Sequence, residues 1–149
     1  MHAWRICKSI HDPYDTMGAV LAGGRWNSPG RAVLYAADSY AGALLEILAH
    51  ALRPRTLPGR HHAARIEIPD ELIERPEESA LGAWHLRESS AAREFGDAWL
   101  AENRSLAISL PALTSRPVGR VIAINLANEN APRIGRGAPF DVPWDERLF

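Results

Sequence analysis

The sequence predicts an α+β fold: a single compact domain over residues 1–149, with a mixed sheet and flanking helices. Three observations predict it. Short apolar runs bounded by turn residues outnumber stretches with helical spacing. The two kinds of segment are interleaved without the strict alternation of a doubly wound sheet. And 149 residues, 46% apolar and 23% charged, suffice to bury one sizeable core in an ordinary globular composition.

Taken in order, Ala3 to Cys7 alternates weakly and predicts a first strand carrying Arg5. Lys8 to Ala22 reads as a loop, leading into the turn Gly23-Gly24-Arg25-Trp26-Asn27-Ser28-Pro29-Gly30. Val33 to Ala37 is an apolar run, hence a buried strand. Asp38 and Ser39 offer an N-cap to a helix over Tyr40–Leu52, which Pro54 stops. Leu44, Leu45, Leu48 and Leu52 have the spacing of its buried face, with Glu46 and His50 on another face.

Arg53 to Arg60 is a proline-rich connection and His61 to Ile68 an alternating strand. Pro69 to Ser79 predicts a short acidic helix and loop. Ser89 or Ser90 caps a second helix through Asn103, with Phe95, Trp99 and Leu100 on its apolar side. Leu106–Leu110 and Val118–Leu126 are further strands, and the apolar end of the tail, to Phe149, is expected to pack back.

The net charge of −1 gives no sign of a nucleic-acid or membrane surface. The single cysteine, Cys7, excludes an intramolecular disulfide and a cysteine metal cluster, and reads as core filler. No apolar run approaches the roughly 18 residues of a membrane helix. The N-terminus lacks a secretion pattern, so a cytoplasmic protein is expected. Nucleotide-binding glycine motifs, the nucleophile elbow and zinc-hydrolase motifs are all missing. Adjacent strand residues point to opposite faces, so His61 and His62 do not form a metal pair, and no metal site is expected. What the residues alone point to is an arginine and a tryptophan in a glycine-flanked turn at the mouth of a buried strand, suited to an anionic, planar ligand. On periodicity alone, Glu46 is a solvated helix glutamate.

Several segments together resemble a known family. Trp4-Arg5-Ile6, the turn Gly23–Gly30, Val33-Leu34-Tyr35-Ala36-Ala37, Ala43-Leu44-Leu45-Glu46-Ile47-Leu48-Ala49-His50 and Asp145-Glu146-Arg147-Leu148-Phe149 are similar to RES-domain proteins across essentially the whole chain. The resemblance implies an ADP-ribosyltransferase-like fold and a toxin of a bacterial toxin–antitoxin pair. The implied activity is destruction of NAD+ by hydrolysis or phosphorolysis of the nicotinamide–ribose bond. NAD+ is then a substrate, with no cofactor required. The implied partner is an Xre-like helix-turn-helix antitoxin, through which alone nucleic acid would be reached.

By the same resemblance, the family's arginine falls on Arg25, its glutamate on Glu46 and its active-site tyrosine on Tyr35. Breaking the bond builds positive charge on the ribose, which a fixed carboxylate at Glu46 would stabilise. The guanidinium of Arg25 would pair with the pyrophosphate, and Tyr35 would stack on the nicotinamide. Gly24, Trp26 and Arg5 complete the expected substrate-binding set, although Trp26 also reads as a packing anchor for the turn. The family's serine is where this chain departs. Within Ser109-Leu110-Pro111-Ala112-Leu113-Thr114-Ser115, Ala112 takes its expected place, with Ser109 or Ser115 nearby. Ser109 is the catalytic candidate. Two alternatives stand beside NAD+ destruction: transfer of ADP-ribose to a protein, and a degenerate domain that only binds NAD+ or its antitoxin.

Overall fold

The computed structural model describes residues 1–50 and 59–148. Eight strands form one sheet, β1 (His2–Lys8), β2 (Leu34–Ala37), β3 (His61–Glu67), β4 (Ile73–Glu74), β5 (Ala107–Pro111), β6 (Arg120–Ile124), β7 (Gly135–Arg136) and β8 (Phe140–Asp141). Their order is β4-β5-β6-β2-β1-β3-β7, with β8 also pairing β3. Every pairing is antiparallel except β4 with β5, which makes the sheet mixed as expected. Among the described residues three helices accompany it, α1 (Met17–Ala22), α2 (Tyr40–Ala49) and α3 (Ser90–Glu102).

The strands form where the sequence alternates or runs apolar. Side chains of Ala3, Leu34, Ala36, Ile66, Ile122 and Ile124 share one core cluster. A second cluster lies under α3, where Trp26, Trp84 and Trp99 pack with Ile108 and Leu110. Strand β2 connects two of these regions: Leu34 belongs to the first, while half-buried Tyr35 packs on the second. This follows from the opposite facing of adjacent strand residues.

Several boundaries differ from expectation. The stretch read as a loop, Lys8 to Ala22, contains α1, a six-residue helix with no buried residue and so no apolar stripe to reveal it. Helix α2 begins where predicted, and the Ser39 hydroxyl accepts the Gly42 N–H at 3.0 Å. It ends at Ala49, and the predicted continuation over Ala51–Leu52, like most of the proline-rich connection, lies outside the described residues.

Its buried face is also different. Gly42 and Ala43 are buried and Tyr40, Leu44 and Ile47 pack beside Ala43, whereas Leu45 is 42% exposed. With apolar residues at 44, 45, 47 and 48, two helical stripes fit equally well. The sheet accepted the stripe carrying the small residues Gly42 and Ala43.

The acidic 69–79 segment resolves into 3-10 turns at Asp70–Leu72 and Glu78–Leu81 around β4. Val118, expected to start a strand, is exposed. At the tail Val142 packs inward, but Leu148 stays exposed.

Candidate active site

Helix α3 builds the turn that carries Arg25. Its Gly96 lies directly under Trp26, where an added Cβ would stand 1.8 Å from the Trp26 carbonyl oxygen. One turn-side carboxylate, Asp97, accepts the Ser28 N–H at 2.9 Å and the Ser28 hydroxyl at 2.6 Å, and pairs with Arg31 at 3.2 Å. The Trp26 ring is buried (3% exposed) and stacks on Trp84 at 6.1 Å between centroids, with Phe95 edge-on. Trp26 is thus chiefly the packing anchor of the turn, although it also borders the cavity described below.

Asn27 is the hub of this turn and was not legible as such. It is 0% exposed, and its amide nitrogen contacts the carbonyls of Ala19, Ser28 and Arg31 at 3.0–3.1 Å. Its oxygen accepts the Tyr35 hydroxyl at 2.7 Å. Burial pushes the Tyr35 pKa well above the ordinary tyrosine value, so that hydroxyl keeps its proton. Tyr35 therefore offers a ligand its ring, while its O–H is committed inward. Gly24 is required by the same arrangement: a Cβ there would lie 2.9 Å from Asn27 Oδ1 and 3.1 Å from the Tyr35 hydroxyl. Its small size serves internal packing first.

A cavity of about 640 Å³ opens between this turn, β1, β2 and α2. That is within the ~300–1,000 Å³ of small-molecule sites. Arg5, Gly24, Arg25, Trp26, Tyr35 and Glu46 all line it, uniting six of the seven site residues expected from the sequence. The seventh, Ser109, does not line it. Its hydroxyl is buried beside Arg120, which approaches it at 3.4 Å and donates to its carbonyl at 3.1 Å.

The hydroxyl that reaches Glu46 comes from Thr114, in the loop after β5. It donates to Glu46 Oε1 at 2.5 Å, a short bond that holds the carboxylate in place. The only sequence signal for it was the hydroxyl-rich run Thr114-Ser115, two and three residues beyond the expected position.

The electrostatics favour an anion. Arg5, Arg25, Arg87 and Arg93 line the cavity against the carboxylates of Asp15 and Glu46. Arg25 Nη1 donates to the carbonyls of Trp84 and Leu86, both at 2.7 Å, which fixes the guanidinium by one nitrogen. Its pKa is lowered, chiefly by burial, with Glu46 opposing and Arg116 and Arg93 reinforcing that shift. Arg5 donates to the Tyr35 carbonyl at 3.0 Å, while its buried Nε has no acceptor among the described residues. Burial lowers the Arg5 pKa too. Two anchored guanidiniums with donors to spare can hold a phosphate-bearing ligand, and the clamped carboxylate can face a developing cation.

The structure thus sets the cavity beside the second strand of a mixed sheet, with a carboxylate on the following helix. In comparisons with known proteins, the RES domain family model matches residues 2–145, and the chain belongs to that family. It is 31% identical over 140 residues to the "Prs ADP-ribosylating toxin" of a Sphingobium strain, covering 88% of this chain and 86% of that protein. It is also 31% identical over 113 residues to "Toxin Res" of Pseudomonas putida, covering 75% and 76%. A chain in the crystal structure of the M. tuberculosis MbcT–MbcA toxin–antitoxin complex shares the fold, with a TM-score of 0.75 at 20% identity over 95% of this chain and 83% of that one. Among the described residues no helix is long and apolar enough to cross a membrane, and no group of three His, Cys, Asp or Glu is placed to hold a metal ion.

Proposed function

We propose that this protein is the toxin of a bacterial toxin–antitoxin pair and that it destroys cellular NAD+ by cleaving the nicotinamide–ribose bond. The observation that carries this reading is the Glu46 carboxylate, clamped by Thr114 in a cavity otherwise dominated by arginines. As the bond breaks, the electron pair leaves with nicotinamide and the ribose carbon becomes cationic. Glu46 stabilises that charge, while Arg25 and Arg5 hold the dinucleotide's diphosphate and the Tyr35 ring orients the nicotinamide. Fixing both ends of the substrate makes the cleavage effectively intramolecular in its geometry.

The toxin names of the relatives, and the toxin–antitoxin complex in which the fold recurs, support an antitoxin partner. An Xre-like antitoxin covering the cavity mouth is the form this partner takes in our reading, with contact to nucleic acid made by the antitoxin.

Incubation of the purified protein with NAD+, following nicotinamide release, tests the proposal. Stoichiometric loss of NAD+ with free ADP-ribose or its phosphate is the expected result. A dinucleotide that stays bound and intact would overturn it and leave a binding module. The printed name of the Sphingobium relative favours a second reading, transfer of ADP-ribose to a protein acceptor. Label from the adenylate half retained on protein would select that reading.

A further inference from the structure

Hydrolysis of NAD+ leaves one proton to be placed, and we infer that His50 takes it, as proton acceptor for the water that attacks the ribose carbon beside Glu46. This rests on the NAD+-cleaving reading and deepens it by naming a protic oxygen, not an anionic nucleophile, as the acceptor.

His50 follows the last residue of α2, one turn after Glu46, and lines the same cavity. Its Nδ1 lies 2.7 Å from the Glu46 carbonyl oxygen. A carbonyl only accepts, so Nδ1 carries the proton, and the neutral ring keeps its lone pair on Nε2. Nδ1 also stands 3.9 Å from Glu46 Oε2, on the carboxylate oxygen that Thr114 does not hold. The side chain is 80% exposed, so water reaches the ring.

The other groups lining the cavity are poorly suited to the task. The charged groups sharing it with His50 are Glu46 on its own helix, Arg5 from β1, Asp15 before α1, Arg25 from the turn, Arg87 before α3 and Arg93 in its first turn. Guanidiniums have no lone pair to offer. Asp15 accepts the Met17 N–H at 2.8 Å at the start of α1. Tyr35 is protonated and its hydroxyl donates to Asn27. Glu46 is needed in its charged form, opposite the cation. An imidazole is the side chain that holds a lone pair at neutral pH and still takes a proton readily.

The step balances. The C–N bond breaks and its pair neutralises the pyridinium as nicotinamide leaves. The water oxygen bonds to the ribose carbon, its proton passes to Nε2, and His50 returns that proton to solvent.

The test is the initial rate of nicotinamide release over about pH 5 to 9 for the wild type, His50→Asn and His50→Ala. The asparagine amide stands where Nδ1 does and keeps the donor to the Glu46 carbonyl, but offers no basic lone pair. Both variants should melt with the wild type and lose about a hundred-fold in rate at neutral pH. The loss should persist across that range, and added imidazole should restore His50→Ala. A His50→Asn protein matching the wild type in rate and profile would overturn the role, as would failure of imidazole to rescue His50→Ala. A wild type that releases no nicotinamide would overturn the underlying reading, and the role of His50 with it.

Discussion

Helices α2 and α3 are both capped by a serine hydroxyl at the N-terminus, yet they do opposite work. Helix α3 buries Ala92, Gly96 and Trp99 and binds the Gly23–Gly30 turn through Asp97 and through backbone contact at Gly96. Helix α2 buries only Gly42 and Ala43, leaves Leu45 in solvent, and presents Glu46 and His50 to the cavity. Helix α3 holds the turn in place, and α2, packed on the sheet through Ala43, Leu44 and Ile47, carries the chemical groups. Damage to α3 should therefore appear in stability, and damage around Glu46 in turnover.

The largest stability effect is expected at Gly96→Ala. A methyl placed 1.8 Å from the Trp26 carbonyl forces α3 off the turn, at a cost of about 3 kcal/mol, or roughly 6–12 °C in Tm. Thermal unfolding measures it, and an unchanged Tm would break the contrast. Next comes Thr114→Val, which removes the hydroxyl from Glu46 without altering shape. Activity on NAD+ should fall about ten- to hundred-fold with Tm nearly constant, while Thr114→Ser retains it. A drop in Tm without a drop in rate would assign Thr114 to the fold.

The smallest effect concerns Tyr35. Its folded pKa is raised by burial above the unfolded value, so its neutral form is favoured in the native state. Its share of stability is full below about pH 10 and is lost as pH rises beyond that. Tyr35→Phe should flatten this alkaline decline. It should also leave Asn27 Oδ1 unpaired at a cost of about 1–3 kcal/mol, while the ring's role in turnover persists. Urea titrations at neutral and alkaline pH compare the two proteins.

Much of this architecture was legible locally. Strands β1, β2 and β3 announce themselves by alternation or apolar runs, and α3 by its serine cap and the Phe95–Trp99–Leu100 stripe. Arg25, Tyr35 and Glu46 were found through resemblance, and the fold brings them to one cavity. What escaped depends on geometry that local sequence does not carry. Helix α1 has no apolar face to betray it. Ser109 lies within a strand whose five residues are all buried, so neither alternation nor exposure marks the side facing the cavity. Thr114 reaches Glu46 because of how the 112–119 loop folds back, a long-range contact spanning 68 positions. Asn27 looked like an ordinary turn residue, and only its partners at Ala19, Arg31 and Tyr35 reveal a hub.

The chemistry is assigned to a carboxylate on α2 that the Thr114 hydroxyl clamps. Nicotinamide release from NAD+ by Glu46→Gln, measured beside its melting temperature, tests it most directly. A loss of at least about a thousand-fold at unchanged Tm is expected, since the amide keeps the acceptor for Thr114 but not the charge. A Glu46→Gln protein that releases nicotinamide at the wild-type rate would contradict it.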